Sequence, residues 1–241
     1  MAKLTFFAFV GKYLVTHEGN RKKMEESKAN GDRRTRLTLM KRTYDDLVGG
    51  FCNNFKINIE LTGQENVPEG PVLFVANHSG LADAAVMALM PGPVGFVLKK
   101  EFAKIPFFSK WLNQMNAVFM DRENPREAVK GINDAVDIVS DGYSMAIFPE
   151  GTRTRDSSVG EFKNGAFKIV QKTGVPIVPV AISGSYLLWE VPGKLIPGTV
   201  RAEILPPVYT QDLDRKAYKN LAVNVRQMIV DKLIEMNTPE K

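Results

Sequence analysis

VLFVANHSGLADAAVM, residues 72–87, sets an aliphatic run against an abrupt polar cluster before the apolar pattern resumes. VLFVA has the continuous apolar character of a strand buried on both faces, and LADAAVM begins a helix. A strand, a short polar turn and a helix in succession are the unit from which layered α/β domains are built. The same alternation continues along the chain. FKINIEL, PVLFVAN, VGFVL, AVFMD, SMAIFP, IVPVAIS and VRAEIL read as strands, being short, β-branched and bounded by turn residues. LADAAVMALM, PFFSKWLNQM, PREAVKGINDAVDIVSD, NGAFKIVQKTG and a last segment over about 214–236 read as helices. The expected architecture is α/β: a mostly parallel, mixed sheet flanked by helices, with an N-terminal helical hairpin.

In such sheets ligands gather beyond the carboxyl ends of strands. The polar clusters NHSGLAD and FPEGTRTRD both follow aliphatic strands. His78 falls in the turn and Asp83 in the first helical turn, a spacing that lets the carboxylate fold back on the imidazole. A carboxylate accepting from Nδ1–H leaves Nε2 able to take a proton, as a general base requires. A structural histidine satisfies the same pattern. In the second cluster, Gly151 permits close backbone approach, and its N–H together with Arg153 can hold an anion. Arginine's planar fork suits phosphate. Glu150 is expected to hold a substrate hydroxyl or to orient an arginine. Lys99 and Arg122, at the ends of VGFVL and AVFMD, extend a basic rim.

Composition excludes several classes. One cysteine among 241 residues rules out an intramolecular disulfide framework, and its apolar neighbours make Cys52 filler. Two histidines, without the i, i+4 pair of a zinc helix, leave no metal site. No G-x-S-x-G nucleophile elbow occurs, and Ser79 reads as a turn or capping residue.

The net charge of +5 is concentrated at the N-terminus, where residues 1–42 carry eleven Lys and Arg against four Asp and Glu. Residues 4–15, LTFFAFVGKYLV, place Phe6, Phe7, Phe9, Val10, Tyr13 and Leu14 on one helical face. The run is shorter than the roughly 20 apolar residues of a membrane span, and it has no signal-peptide cleavage site. The basic segment after it, with Leu37, Met40, Tyr44, Leu47 and Val48 at helical spacing, completes a helical pair over residues 1–50, followed by an α/β domain over 51–241. The pair suits a membrane surface, apolar face toward the acyl region and cations toward head groups; packing on the domain is the alternative. Nucleic acid is not an expected partner, because the basic cluster has no interleaved aromatics.

The blocks NHSGLAD, AVFMDRE, FPEGTR and VPIVPVAI, in this order, resemble the four motif blocks of the glycerolipid acyltransferase family, whose first block is N-H-x-x-x-x-D. The lead-in LTGQENVPEGPVLFVANH is also similar, and the resemblance covers roughly residues 55–210, most closely in the lysophosphatidic acid acyltransferase branch. It implies acyl transfer from a thioester to 1-acylglycerol 3-phosphate, giving phosphatidic acid. His78 then matches the base and Asp83 its orienting partner. Glu150, Gly151 and Arg153 match the block that holds the glycerol phosphate, with Lys99 and Arg122 in or beside the second block. No cofactor is implied beyond the acyl carrier, coenzyme A or acyl carrier protein. The implied location is the cytoplasmic face of the membrane, as a peripheral or monotopic enzyme. Glycerol 3-phosphate or another lysophospholipid as acceptor, and a noncatalytic membrane-binding module, are the alternatives. One departure stands out: many members have Gly where this chain has Asn116.

Overall fold

The computed structural model describes residues 2–121, 124–211 and 213–238. Among the described residues, seven strands form one sheet: β1 Ile57–Thr62, β2 Leu73–Ala76, β3 Val94–Lys99, β4 Val118–Met120, β5 Ser144–Ile147, β6 Ile177–Ser183 and β7 Gly198–Ile204. Their order is β1-β7-β6-β2-β5-β3-β4. Every neighbouring pair is parallel except β6 and β7. The carboxyl ends of β6, β2, β5, β3 and β4 therefore share one edge. All seven strands lie where the sequence places them, and the mixed, mostly parallel sheet with flanking helices is the expected architecture.

The central strand explains the packing. Leu73, Phe74, Val75 and Ala76 are all fully buried, because their alternating side chains enter two different cores. Phe74 and Ala76 join the helices α1 Ala2–Thr16, α2 Glu18–Ala29, α3 Arg33–Phe55, α4 Asp83–Ala88 and α5 Pro106–Gln114 on one face. Leu73 and Val75 join α6 Pro125–Ser140, α7 Lys168–Thr173 and α8 Arg215–Asn237 on the other. A strand covered on both sides needs no polar face, which is why VLFVA reads as a continuous run.

The N-terminus differs from the expected pair. Three helices form, because the basic segment breaks at Asn30–Gly31–Asp32. Gly31 takes φ +69°, and the Asp32 carboxylate caps α3 by accepting the Thr35 N–H at 3.0 Å. Helix α3 then runs on to Phe55, past the expected boundary at residue 50. The aromatic face of α1 is largely spent inside the molecule. Tyr13 and Leu14 are buried, and Phe6 meets Phe51 and Trp189 edge-on, each at 5.8 Å. Phe7 and Val15 remain exposed, at 59% and 63%. Among the described residues, no helix is long and apolar enough to cross a membrane.

Asn116 occupies the left-handed region, at φ 54°. Asparagine tolerates that conformation better than other non-glycine residues, so the turn does not require the expected Gly. Its side-chain oxygen accepts from the buried Arg36 of α3 at 2.5 Å. Burial raises the Cys52 thiol pKa, consistent with an inert side chain.

Candidate active site

Strand β2 ends at Ala76, and Asn77 continues its ladder with a side chain in place of backbone. The Asn77 amide donates to the Ile182 carbonyl at 2.9 Å, and its oxygen accepts the Ile182 N–H at 2.8 Å. The main chain is thereby released from the sheet at His78. Asp83, fully buried in the first turn of α4, collects three donors on one carboxylate oxygen, Oδ2. These are the Ser79 N–H at 2.7 Å, the Gly80 N–H at 2.8 Å and His78 Nδ1 at 2.8 Å. The two amides fix the carboxylate, and the carboxylate fixes the imidazole. With Nδ1 donating to Asp83, the lone pair is on Nε2, and the His78 side chain keeps 19% of its surface exposed. The ring also stacks on Phe148 of the next strand end, with centroids 4.1 Å apart and planes 16° apart.

Gly80 is required by close approach. A Cβ there would lie 2.3 Å from Ser185 Oγ and 2.7 Å from the Ser185 carbonyl oxygen, so the turn seats directly on the segment after β6.

The loop after β5 grips the same turn. Glu150, itself buried, accepts the His78 N–H on Oε1 at 2.6 Å and the Gly160 N–H on Oε2 at 2.9 Å. The Thr154 N–H donates to the His78 carbonyl at 3.0 Å, so the His78 main chain is held from both sides. Glu150 thus clamps two backbone segments instead of orienting an arginine. Burying a carboxylate without donors is costly, and on Glu150 each oxygen receives one from a backbone N–H. Burial pushes its pKa up; the two amides pull in the other direction and only partly compensate. Gly151 also differs from expectation: at φ +78° it turns the chain, and its N–H donates to the Phe148 carbonyl at 3.1 Å inside that turn.

Arg153 has a partner that sequence spacing did not indicate. Its Nη1 donates to Glu190 Oε1 at 2.6 Å, and the Leu81 N–H donates to the same oxygen at 3.0 Å. The Glu190 side chain is 4% exposed and that of Arg153 is 36% exposed. Nothing in SYLLWEVPG marks Glu190 in advance, because its two donors come from distant turns. Phe148 was visible within FPEGTR, but its role as a platform for the imidazole required the two strand ends to be adjacent. Lys99 ends β3, exposed and on the same edge. It stands two strand spacings from β2, about 10 Å. Neighbouring Lys100 pairs with Asp121. Arg122 lies outside the described residues.

The geometry brings a histidine–aspartate pair and a partly exposed guanidinium to one sheet edge. Known proteins resemble this chain in fold and in sequence. A crystal structure of the 1-acyl-sn-glycerophosphate acyltransferase PlsC from Thermotoga maritima superposes with a TM-score of 0.78, covering 99% of this chain and 97% of that one at 24% identity, a likeness of fold. The chloroplastic 1-acyl-sn-glycerol-3-phosphate acyltransferase of Brassica napus is 32% identical over 166 residues, 64% of this chain and 46% of its own length. The enzyme of that name from Saccharomyces cerevisiae is 30% identical over 185 residues, 75% of this chain and 61% of its own. A probable 1-acyl-sn-glycerol-3-phosphate acyltransferase of Mycoplasma genitalium is 31% identical over 192 residues, 73% and 70% of the two chains. The chain spans about half the length of the Brassica relative. The family model described as Acyltransferase matches residues 58–183, more than half of the chain and inclusive of both loops of the site, so this chain belongs to the acyltransferase family.

Proposed function

We propose that this chain transfers a fatty acyl group from an acyl thioester to the free hydroxyl of 1-acylglycerol 3-phosphate, forming phosphatidic acid. The observation that carries this reading is the His78–Asp83 hydrogen bond of 2.8 Å at a sheet edge shared with Arg153. The names of the relatives point to the acceptor.

Nε2 of His78 removes the hydroxyl proton, and the alkoxide oxygen attacks the thioester carbonyl carbon. The tetrahedral oxyanion collapses, the C–S bond breaks, and the imidazolium returns its proton to the sulfur. Asp83 holds the imidazole in the required tautomer and stabilises the imidazolium, and general base assistance contributes about 10²–10⁴-fold. Amide hydrogens from His78 to Leu81 are all engaged by Glu150, Asp83 and Glu190, so donors to the oxyanion come from outside that turn. Arg153 holds the acceptor phosphate and so places the hydroxyl against Nε2, with Lys99 on the rim and Glu150 keeping the His78 backbone in register. The acyl carrier, coenzyme A or acyl carrier protein, is the only co-substrate in this scheme.

The same reading places the enzyme on the cytoplasmic face of a membrane, its N-terminal helices against the lipid. Exposed Phe7 and Val15 on α1, with exposed Lys12, Lys22, Lys23 and Lys28, support that contact.

The test offers the purified full chain 1-acylglycerol 3-phosphate, glycerol 3-phosphate and other lysophospholipids, each with acyl-coenzyme A and with acyl carrier protein thioester. Transfer to 1-acylglycerol 3-phosphate, lost in His78→Ala with the circular dichroism spectrum unchanged, is expected. Transfer to glycerol 3-phosphate alone would overturn the choice of acceptor. Wild-type turnover in His78→Ala would remove the base.

A further inference from the structure

After β6 the chain turns at Gly184, φ +85°, makes one tight helical turn over Ser185–Leu187 and delivers Leu188, Trp189 and Glu190 to the site. This segment is firmly seated. Ser185 is fully buried under Gly80, and Trp189 is buried with its ring edge-on to Phe6 of α1. The Val191 N–H donates to the Tyr186 carbonyl at 3.1 Å, and the Ile196 N–H to the Leu188 carbonyl at 2.9 Å. Glu190 is thus carried on a braced support between α1 and the turn that bears His78.

A carboxylate is an expensive choice at such a position if folding were its only task. Glu190 Oε2 is buried with no hydrogen-bond partner, and burial raises the pKa of the group despite the neighbouring Arg153. The engaged oxygen, Oε1, makes two contacts of different kinds. One is the Leu81 N–H, three residues from the base; the other is the Arg153 guanidinium, whose side chain remains about a third exposed. A long, four-torsion side chain on an irregular loop is thereby tied to the histidine's own turn through a single atom. Only one nitrogen of the fork is used for this tie, and arginine has further N–H donors for a ligand.

We propose that Glu190 is a positioning residue for the acceptor: it sets the distance between the phosphate-binding guanidinium of Arg153 and the base His78, and so governs the KM for 1-acylglycerol 3-phosphate. The inference rests on the reading of Arg153 as the phosphate group's partner. Its physical basis is preorganisation. The hydroxyl and the phosphate are borne on one short glycerol unit, so an arginine free to wander captures phosphate without presenting the hydroxyl to Nε2. The carboxylate also offsets part of the arginine's charge, a cost to phosphate attraction that the fixed geometry outweighs.

The experiment measures KM and kcat on the full chain with 1-acylglycerol 3-phosphate and acyl-coenzyme A, for Glu190→Ala, Glu190→Gln, Arg153→Ala and the double alanine variant. Glu190→Ala is expected to raise KM by about tenfold or more, the scale of a lost charge-assisted hydrogen bond, with kcat changed less than about threefold. Glu190→Gln restores most of the loss, because its carbonyl oxygen takes both donors and its amide occupies the place of the unpartnered Oε2. The double variant is no worse than Arg153→Ala. A wild-type KM in Glu190→Ala, a Glu190→Gln as impaired as the alanine, or multiplying effects in the double variant would each overturn the proposal. Should Glu190→Ala fail to fold, Glu190→Asp draws the acceptor oxygen back by one methylene and is expected to raise KM with kcat kept; a wild-type KM there overturns it equally. A wild-type KM in Arg153→Ala instead overturns the phosphate reading, whereas a raised KM there beside a normal Glu190→Ala removes this inference alone.

Discussion

Arginines stand at both ends of the sheet, and they are held in opposite ways. At the amino edge Arg36 is 3% exposed and donates to the Gln114 carbonyl at 3.0 Å, Asn116 Oδ1 at 2.5 Å and the Tyr143 hydroxyl at 2.9 Å. Arg33, beside it, donates to the carbonyls of Asp141 and Gly142, with its guanidinium 4.2 Å from the Tyr143 ring centroid. At the carboxyl edge Arg153 is tied by one nitrogen to one carboxylate and keeps a third of its side chain in solvent. A guanidinium surrounded by carbonyls and hydroxyls ties structure together; one restrained at a single point can take a ligand. The contrast also sorts the N-terminal basic cluster. Arg21 is buried between Glu18 and Glu25, and Arg36 is buried in the body, so the cations left for an anionic surface are mainly lysines. Arginine's fork satisfies several acceptors at once, whereas a lysine ammonium is more easily left hydrated.

The comparison can be broken most decisively at Arg36. Arg36→Met should destabilise the fold by about 2–4 kcal/mol, because Asn116 and Gln114 lose a buried donor. Thermal unfolding would register a drop of several degrees, with KM unchanged in the molecules still folded. Arg153→Ala should do the reverse, raising the acceptor KM by about 10–100-fold with a smaller loss of Tm than Arg36→Met, since Glu190 keeps the Leu81 N–H as a donor. Equal losses of stability in the two variants would erase the distinction.

Between the two extremes lie the buried glutamates. Glu150→Gln should cost about 1–3 kcal/mol, since both its oxygens accept from backbone N–H groups and the new amide must face one of them. Urea unfolding measures that cost. Replacing Lys22, Lys23 and Lys28 with Glu one at a time should weaken sedimentation with anionic vesicles by about 1 kcal/mol each and leave turnover on detergent-dispersed substrate intact. Such point changes are cleaner than removing residues 1–42, which also deletes Met40 and Arg36 from the core.

The smallest effect is in pH dependence. Glu190 has a raised pKa in the fold, chiefly from burial and against the pull of Arg153, so its ionised form is less favoured in the folded chain than in the unfolded one. Its contribution to stability is present below the ordinary glutamate range, about 4.3, and is lost as pH rises through the folded value. Glu190→Gln should therefore gain stability relative to wild type as pH rises upward from the ordinary glutamate range. A flat difference in Tm over that range would contradict the burial argument.

What was legible in the sequence follows from distance along the chain. The His78–Asp83 bond spans five residues within one strand–turn–helix unit, and two amides of the same turn hold the carboxylate, so the local sequence contains the whole device. The Arg153–Glu190 pair spans 37 residues and the Arg36–Asn116 pair 80, and no periodicity links either. The same limit explains the N-terminus. The aromatic face of α1 was visible, but hydrophobic spacing does not say whether lipid or Phe51, Phe55 and Trp189 will cover it.

By itself the sequence determined the strands, most of the helices, the strand-end position of both polar clusters and the spacing of the dyad, because hydrophobic period and turn chemistry are short-range. Only the tertiary structure decided that Glu150 clamps backbone, that Glu190 holds Arg153, that Arg36 is buried and that α1 turns most of its aromatic face inward. Those choices belong to groups from separate elements competing for the same buried donors, acceptors and apolar surface, and the winner depends on which elements the sheet brings within a few ångströms of each other.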